Sequence, residues 1–220
     1  MMRIVLVGGG GHASDVLGVI EDINDAGGLD GGPISVAGIL DDIEIDGTRF
    51  AGRSVDQIGV VADLAGIDAS HYVLAVGWPK TRRTIHARLG LDAAAAGPQP
   101  ATLVHPRATV GRGVIIGAGS VVMAGAHLSP MSGVGRHACV SNHAVLGHDS
   151  VVGDFAGLMP ASVVSGGASV GEGCLLGTNA TVLEGICLGS WSTVGAGAVA
   201  VADVDPDTVV VGAPARPQHL

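Results

Sequence analysis

From Val104 onward an aliphatic residue returns at every sixth position: Val104, Val110, Ile116, Val122, Leu128, Val134, Val140, Leu146, Val152, Leu158, Val164, Val170, Leu176, Val182, Leu188 and Val194. Four residues after most of these stands a small residue, as at Ser120, Ala126, Ala138, Ala144 and Ser150, and glycine often follows the aliphatic directly. A period of six belongs neither to a helix nor to an alternating strand. It is the period of a parallel β-helix, in which each hexad supplies one short strand and one corner and three hexads close a triangular coil. Five coils fit between Val110 and Val199. Inward aliphatics would stack about 4.8 Å apart from coil to coil. An antiparallel sandwich with accidental spacing is the alternative, but sandwich strands do not hold one phase through their turns.

The first ninety or so residues follow a different pattern. Ile4 to Val7 reads as a short buried strand, Gly8 to Gly11 as a turn, and Ala13 to Ile23 as a helix with apolar residues at helical spacing. Val36 to Leu40 and Tyr72 to Val76 are further strands, and a helix is expected from about Lys80 to Leu89. This is a small α/β domain with a Rossmann-like βαβ arrangement and a parallel sheet. The run Gly97-Pro98-Gln99-Pro100 disfavours helix and strand. The expected organisation is therefore an α/β domain over 1–96, a linker over 97–103, and a β-helix with a C-terminal tail over 104–220.

Composition sharpens this picture. An apolar fraction of 47% is ample for a core, yet 37 glycines stand beside two Trp, one Tyr and two Phe, so something narrow is filled with small aliphatic side chains. A net charge of -9 without a lysine or arginine cluster argues against nucleic acid and against an anionic membrane surface as partners. No apolar run is long enough to span a bilayer, and the first residues lack the layout of a secretory signal, so a cytoplasmic protein is expected. Cys139, Cys174 and Cys187 fit reduced thiols in small core slots.

Four segments together resemble the bacterial sugar O- and N-acetyltransferases that carry a nucleotide-binding-like domain before a left-handed β-helix, such as sialic acid O-acetyltransferases and UDP-amino-sugar N-acetyltransferases. They are Val7-Gly8-Gly9-Gly10-Gly11-His12 after a strand, His105-Pro106 at the entry to the repeats, Gly147-His148-Asp149-Ser150-Val151-Val152-Gly153-Asp154-Phe155, and Val211-Gly212-Ala213-Pro214-Ala215-Arg216. The resemblance implies left-handedness, a homotrimer, acetyl-CoA as co-substrate in the groove between neighbouring β-helices, and a histidine base. The donor would touch Gly166, Gly177, Ala196 and Arg216. Some relatives carry a second histidine nine residues after the catalytic one, where this chain has Gly157.

The residues can be read for chemistry on their own terms. His148 sits at a corner and points outward, and an imidazole titrating near neutrality suits a base that takes a proton from an attacking amine or hydroxyl. Asp149 would fix its tautomer. Gly166, one coil on, could offer its N–H to the thioester oxyanion, or could simply serve with Gly167 as a tight corner. Gly8, Gly10, Gly11 and His12 open a helix after a strand, a setting that receives phosphates, with Asp41, Asp42 and Trp78 placed for the ribose, base or sugar of a nucleotide. Each of these three also has a plain structural reading as turn cap or sheet cover.

The expected function is acetyl transfer to an amino group of a nucleotide-linked sugar, with O-acetylation of sialic acid or a related sugar as the alternative. A dinucleotide oxidoreductase would need a second lobe. A zinc enzyme of the γ-carbonic anhydrase type would use His143, His148 and a third histidine where Arg107 stands, so no metal is expected. A non-catalytic trimeric scaffold would leave His148-Asp149 and the glycine turn without purpose. His105, before Pro106, is expected to cap the first coil.

Overall fold

The structure, a computed structural model, describes residues 2–29, 31–91 and 97–218. The chain divides into two compact units, Met1–Pro106 and Arg107–Leu220.

In the first unit, strands β1 (Met2–Val7), β2 (Ile34–Leu40), β3 (Gln57–Gly59), β4 (His71–Leu74) and β5 (Gln99–Pro100) form a parallel sheet in the order β3-β2-β1-β4-β5. Ile4 to Val7 are wholly buried, as strands covered on both faces must be. Helix α1 (Gly11–Asp25) buries Ala13, Val16, Leu17, Ile20 and Ile23, the three-and-four spacing of one apolar stripe. Helix α2 (Pro79–Arg88) begins with proline at its first turn, where no N–H is needed. Strand β5 falls inside the segment expected to be a linker. Pro100 is tolerated because β5 is the sheet edge: Gln99 N–H and Ala101 N–H donate to Ser70 O and Tyr72 O (2.9 and 2.8 Å), so the missing N–H faces away from β4. His105, expected as a coil cap, instead places Nε2 2.7 Å from Asp22 Oδ2 of α1 and is only 4% exposed.

The second unit is a prism of two-residue parallel strands, each as far as Val199–Ala200 stacked on its equivalent 18 residues away, as Val145↔Val163 and Leu146↔Val164. One face runs through Thr109–Val110, His127–Leu128, Val145–Leu146, Val163–Val164, Thr181–Val182 and Val199–Ala200. A second runs from Ile115–Ile116 to Cys187–Leu188, and a third from Val121–Val122 to Thr193–Val194 and on to Val209–Val211. Inward aliphatics from Val122 to Val194 are all buried, whereas Val110, on the terminal strand of its face, is 44% exposed. Glycine follows the aliphatic because the next coil passes too close for a side chain: a Cβ on Gly153 would stand 2.6 Å from Glu172 N. The third corner residue adopts the left-handed conformation, with glycine there or, at real conformational cost, residues such as His137, His143, Asp149, Phe155 and Trp191. Phe155 and His137 stack at one corner, centroids 5.4 Å apart, so the aromatic bulk stays off the prism axis. Cys139 and Cys174 occupy buried slots, but Cys187 is exposed, because it faces outward from its strand. Among the described residues no helix is long and apolar enough to cross a membrane.

Candidate functional site

In the first unit, β1, β2 and β4 all end at one side of the sheet, and order β2-β1-β4 makes this the switch point where ligands of open α/β sheets settle. A cleft of about 610 Å³ lies there, and its walls include all seven residues singled out in the sequence: Gly8, Gly10, Gly11, His12, Asp41, Asp42 and Trp78. Gly8, at φ 105°, turns the chain out of β1, and no side chain caps the start of α1 at Gly10. The first N–H groups of that helix are the kind that receive phosphate.

The carboxylates have structural partners. Asp41 accepts from Gly9 N–H at 2.7 Å and from Ile43 N–H at 3.0 Å, which braces the glycine turn. Asp42 accepts from Arg88 Nη2 at 2.7 Å and Val61 N–H at 3.1 Å. The Arg88 hydrogen bond holds the Asp42 carboxyl below its ordinary range. Half-buried His12 is pushed from 6.5 to about 4, first by burial and then by the neighbouring Arg82 guanidinium, so its imidazole is neutral at physiological pH. Trp78, 67% exposed at the head of α2, presents its ring to solvent at the cleft mouth.

Thr81, Thr84 and Arg88 also line the cleft, and the sequence reading passed over them. They lie three, six and ten residues after Trp78, on one helical face, and that spacing was the available signal. Arg82 was missed as well: it is buried, and Nη1 donates to Val76 O and Gly77 O, both at 2.8 Å, behind the loop between β4 and α2.

In the second unit, His148 and Asp149 stand at the corner between the first and second faces, both about two-thirds exposed. Asp149, with φ 56°, turns its carboxylate back so that Oδ2 lies 2.8 Å from His148 Nδ1. An ionised carboxylate only accepts, so Nδ1 carries the hydrogen and Nε2 is left with its lone pair, the form a general base needs. Gly166 lies one coil on, and a Cβ there would stand 2.7 Å from Nε2. The positive φ at this corner belongs to Gly167 (65°) and not to Gly166. Backbone conformation therefore does not explain why residue 166 is glycine, whereas the imidazole lying on it does. Among the described backbone hydrogen bonds, Gly167 donates to His148 O (2.9 Å) and Gly185 to Gly166 O (3.1 Å), while Gly166 N–H donates none.

Gly177 and Ala196 lie on the corner between the third and first faces, their backbones pressed together in successive coils. The tail reaches the first face where Ala215 N–H donates to Val199 O at 2.8 Å, and exposed Arg216 pairs antiparallel with Val211 at the edge of the third. Gly166 on one corner and Gly177 and Ala196 on the other thus flank the first face, while Arg216 lies on the edge strand of the third. His143 sits at a different corner from His148, its ring lying over Gly125. No group of three or more His, Cys, Asp or Glu suited to a metal ion occurs among the described residues.

Comparison with known proteins identifies this combination. The PglD N-terminal domain family matches residues 3–89, and the hexapeptide repeat of succinyl-transferase matches 107–130 and 167–200. The crystal structure of PerB from Caulobacter crescentus, in complex with CoA and GDP-perosamine, is 31% identical over 100% of this chain and 98% of that one, with a TM-score of 0.83. The acetyltransferase domain of PglB from Neisseria gonorrhoeae, in complex with acetyl coenzyme A, is 29% identical over 98% of both chains, again at 0.83. WeeI from Acinetobacter baumannii, at 22% identity and a TM-score of 0.79, shares the fold. The glycine cleft, the six-residue period and the full-length match to PerB together establish that this chain belongs to the left-handed β-helix sugar acetyltransferases, acyltransferases whose co-substrate is acetyl-CoA.

Proposed function

We propose that the protein transfers the acetyl group of acetyl-CoA to a free amino group on a nucleotide-linked sugar, with His148 as general base. The observation that carries the assignment of the base is the seating of the His148 imidazole on Gly166, with Nδ1 held by Asp149. In the reaction the amine nitrogen attacks the thioester carbonyl and its proton passes to Nε2 of His148. The carbonyl oxygen becomes an oxyanion, for which Gly166 N–H is the donor at the corner. Collapse expels the CoA thiolate, which takes the proton held on His148 Nε2 and leaves the imidazole neutral for the next turnover. Asp149 stabilises the imidazolium formed along the way.

The donor is proposed to lie along the first face, thioester at Gly166 and the rest of CoA running past Gly177 and Ala196 toward Arg216. The acceptor's nucleotide is proposed to occupy the glycine cleft, its phosphates on Gly8 to Gly11 and His12 and its ring systems near Trp78 and Asp42. Support for a nucleotide-linked amine comes from PerB, which was crystallised with GDP-perosamine. We read the assembly as a homotrimer, because Ile115 and Val151 leave the second face apolar and exposed. The free thiols suit a reducing compartment, the cytoplasm.

The test is release of CoA thiol from acetyl-CoA in the presence of UDP-, GDP- and dTDP-linked amino sugars and of the matching sugars with hydroxyl in place of amine. Release with an amino sugar alone is expected. Turnover of the hydroxyl set alone would replace this reading with O-acetylation.

A further inference from the structure

Asp42 and Arg88 both line the glycine cleft and meet there, Nη2 to Oδ2 at 2.7 Å, with their side chains 45% and 48% exposed. Asp42 Oδ1 accepts from Val61 N–H at 3.1 Å, so the carboxylate is braced at both oxygens while each keeps a lone pair for a ligand. The Arg88 hydrogen bond holds this carboxyl below its ordinary range, so it is ionised and can only accept. A guanidinium can only donate. The pair thus presents two acceptors beside a donor in one fixed register. It also borders a second cavity of about 480 Å³ whose other walls are apolar, Ala62, Leu64, Ala65 and Leu89 among them, so a flat ring has an apolar seat next to the pair. Asp41, the preceding residue, accepts from Gly9 N–H at 2.7 Å. Adjacent Cα atoms stand about 3.8 Å apart, so the glycine turn and the ion pair lie within the span of one nucleotide.

We propose that the Asp42–Arg88 pair reads the base of the acceptor nucleotide and selects guanine. The proposal rests on the reading that a nucleotide occupies this cleft. Among the common bases guanine alone sets two N–H donors side by side next to a carbonyl. Its N1–H and 2-amino group would donate to the two oxygens of Asp42, and its O6 would accept from Arg88. Uracil offers one donor between two carbonyls, and its second carbonyl would face the carboxylate. Cytosine and adenine each bring a single amino donor on that edge, which leaves one carboxylate oxygen unanswered. A site built to pair a donor rejects the analogue that lacks it, because its own polar groups are then left unpaired. An ion pair that merely braced α2 against the end of β2 would be indifferent to the base edge.

The experiment is calorimetric titration of the full chain, wild type and Asp42→Asn, with GDP, inosine diphosphate, UDP, CDP and ADP. Inosine diphosphate differs from GDP only in lacking the 2-amino group. Wild type should bind GDP about tenfold or more tighter than inosine diphosphate, the weight of one hydrogen bond to a charged acceptor, and tighter than UDP, CDP and ADP by at least as much. In Asp42→Asn one acceptor becomes a donor, so the gap between GDP and inosine diphosphate should close while UDP affinity changes little. A merely structural loss would weaken all five ligands alike and leave their ratios as they were. Equal wild-type affinity for GDP and inosine diphosphate, UDP binding as tight as GDP, or a GDP preference that survives Asp42→Asn overturns the proposal. If none of the five binds wild type, the nucleotide reading of the cleft itself falls, and this proposal with it. The wild-type comparison needs no variant, so the test stands even should Asp42→Asn fail to fold.

Discussion

The imidazole of His148 occupies the space that a side chain on Gly166 would need, although the two residues belong to successive coils. Because residue 166 does not require a positive φ, alanine fits the backbone, and the strain of Gly166→Ala falls on the exposed histidine ring. The variant should keep its melting temperature within a few degrees, since surface changes of this kind cost about 0.5 kcal/mol or less. Its kcat should drop about 100-fold, the penalty of misplacing a catalytic group by about 1 Å. Wild-type kcat in the Gly166→Ala protein would mean that the ring position does not matter.

Asp149 offers a cleaner test than its neighbour. Asparagine tolerates the left-handed backbone seen at φ 56°, so Asp149→Asn removes charge without adding strain. We expect kcat to fall about tenfold, against the roughly 10²- to 10⁴-fold expected for His148→Ala. Both variants should retain KM for acetyl-CoA. If Asp149→Asn costs more than His148→Ala, the roles of the pair are reversed.

His12 makes stability depend on pH. Unfolded, it takes up a proton near the ordinary 6.5, and folded only near 4, so between those values the unfolded state holds more protons. Stability should therefore decline as pH falls through that window, by about 3 kcal/mol in all, and be unaffected by this group above it. Urea unfolding of wild type and His12→Asn at pH 7 and pH 4.5 checks this: the variant should lose less on acidification, and parallel losses would exonerate His12.

Asp41 and Trp78 line the same cleft but should behave differently. Asp41→Ala orphans the N–H groups of Gly9 and Ile43, which costs about 1–3 kcal/mol and slackens the glycine turn. Trp78→Ala removes an exposed ring and should leave stability alone while weakening nucleotide-sugar binding. Thermal melting and titration calorimetry on both variants would separate the two effects, and a destabilised Trp78→Ala would show that the ring merely covers the sheet.

Light scattering should give about three times the 21.6 kDa chain mass. A stable monomer would leave Ile115 and Val151 facing water and would overturn the trimer reading.

The prism could be read directly from the sequence because its inward residues, Val122 to Val194, recur at a period that nothing else imposes. The corner role of His148 was legible for the same reason, and so was its relation to Gly166, which is pure arithmetic on an 18-residue coil. What escaped was whatever depends on contacts without a period. Asp42 and Arg88 meet across 46 positions, His105 and Asp22 across 83, and no local pattern announces either pair. Strand β5 was hidden by Pro100, since only the finished sheet shows that its missing N–H faces outward. The exposed Cys187 follows from strand alternation, and counting inward positions from Leu188 would have found it.

The 18-residue register also determines which changes of length the protein can accept. Deleting one residue within a coil would slide every later aliphatic off the axis and turn small corner residues inward, an error that accumulates with each turn instead of healing in the next loop. Duplicating or removing a whole coil would preserve every stack and shift the tail by about 4.8 Å. The pairing Thr193↔Val209 spans 16 residues, so the strict count has already lapsed after Ala200. Lineages or designers lengthening or shortening the prism are thus held to whole-coil edits up to Ala200, beyond which Leu188↔Val204 and Thr193↔Val209 keep a spacing of their own.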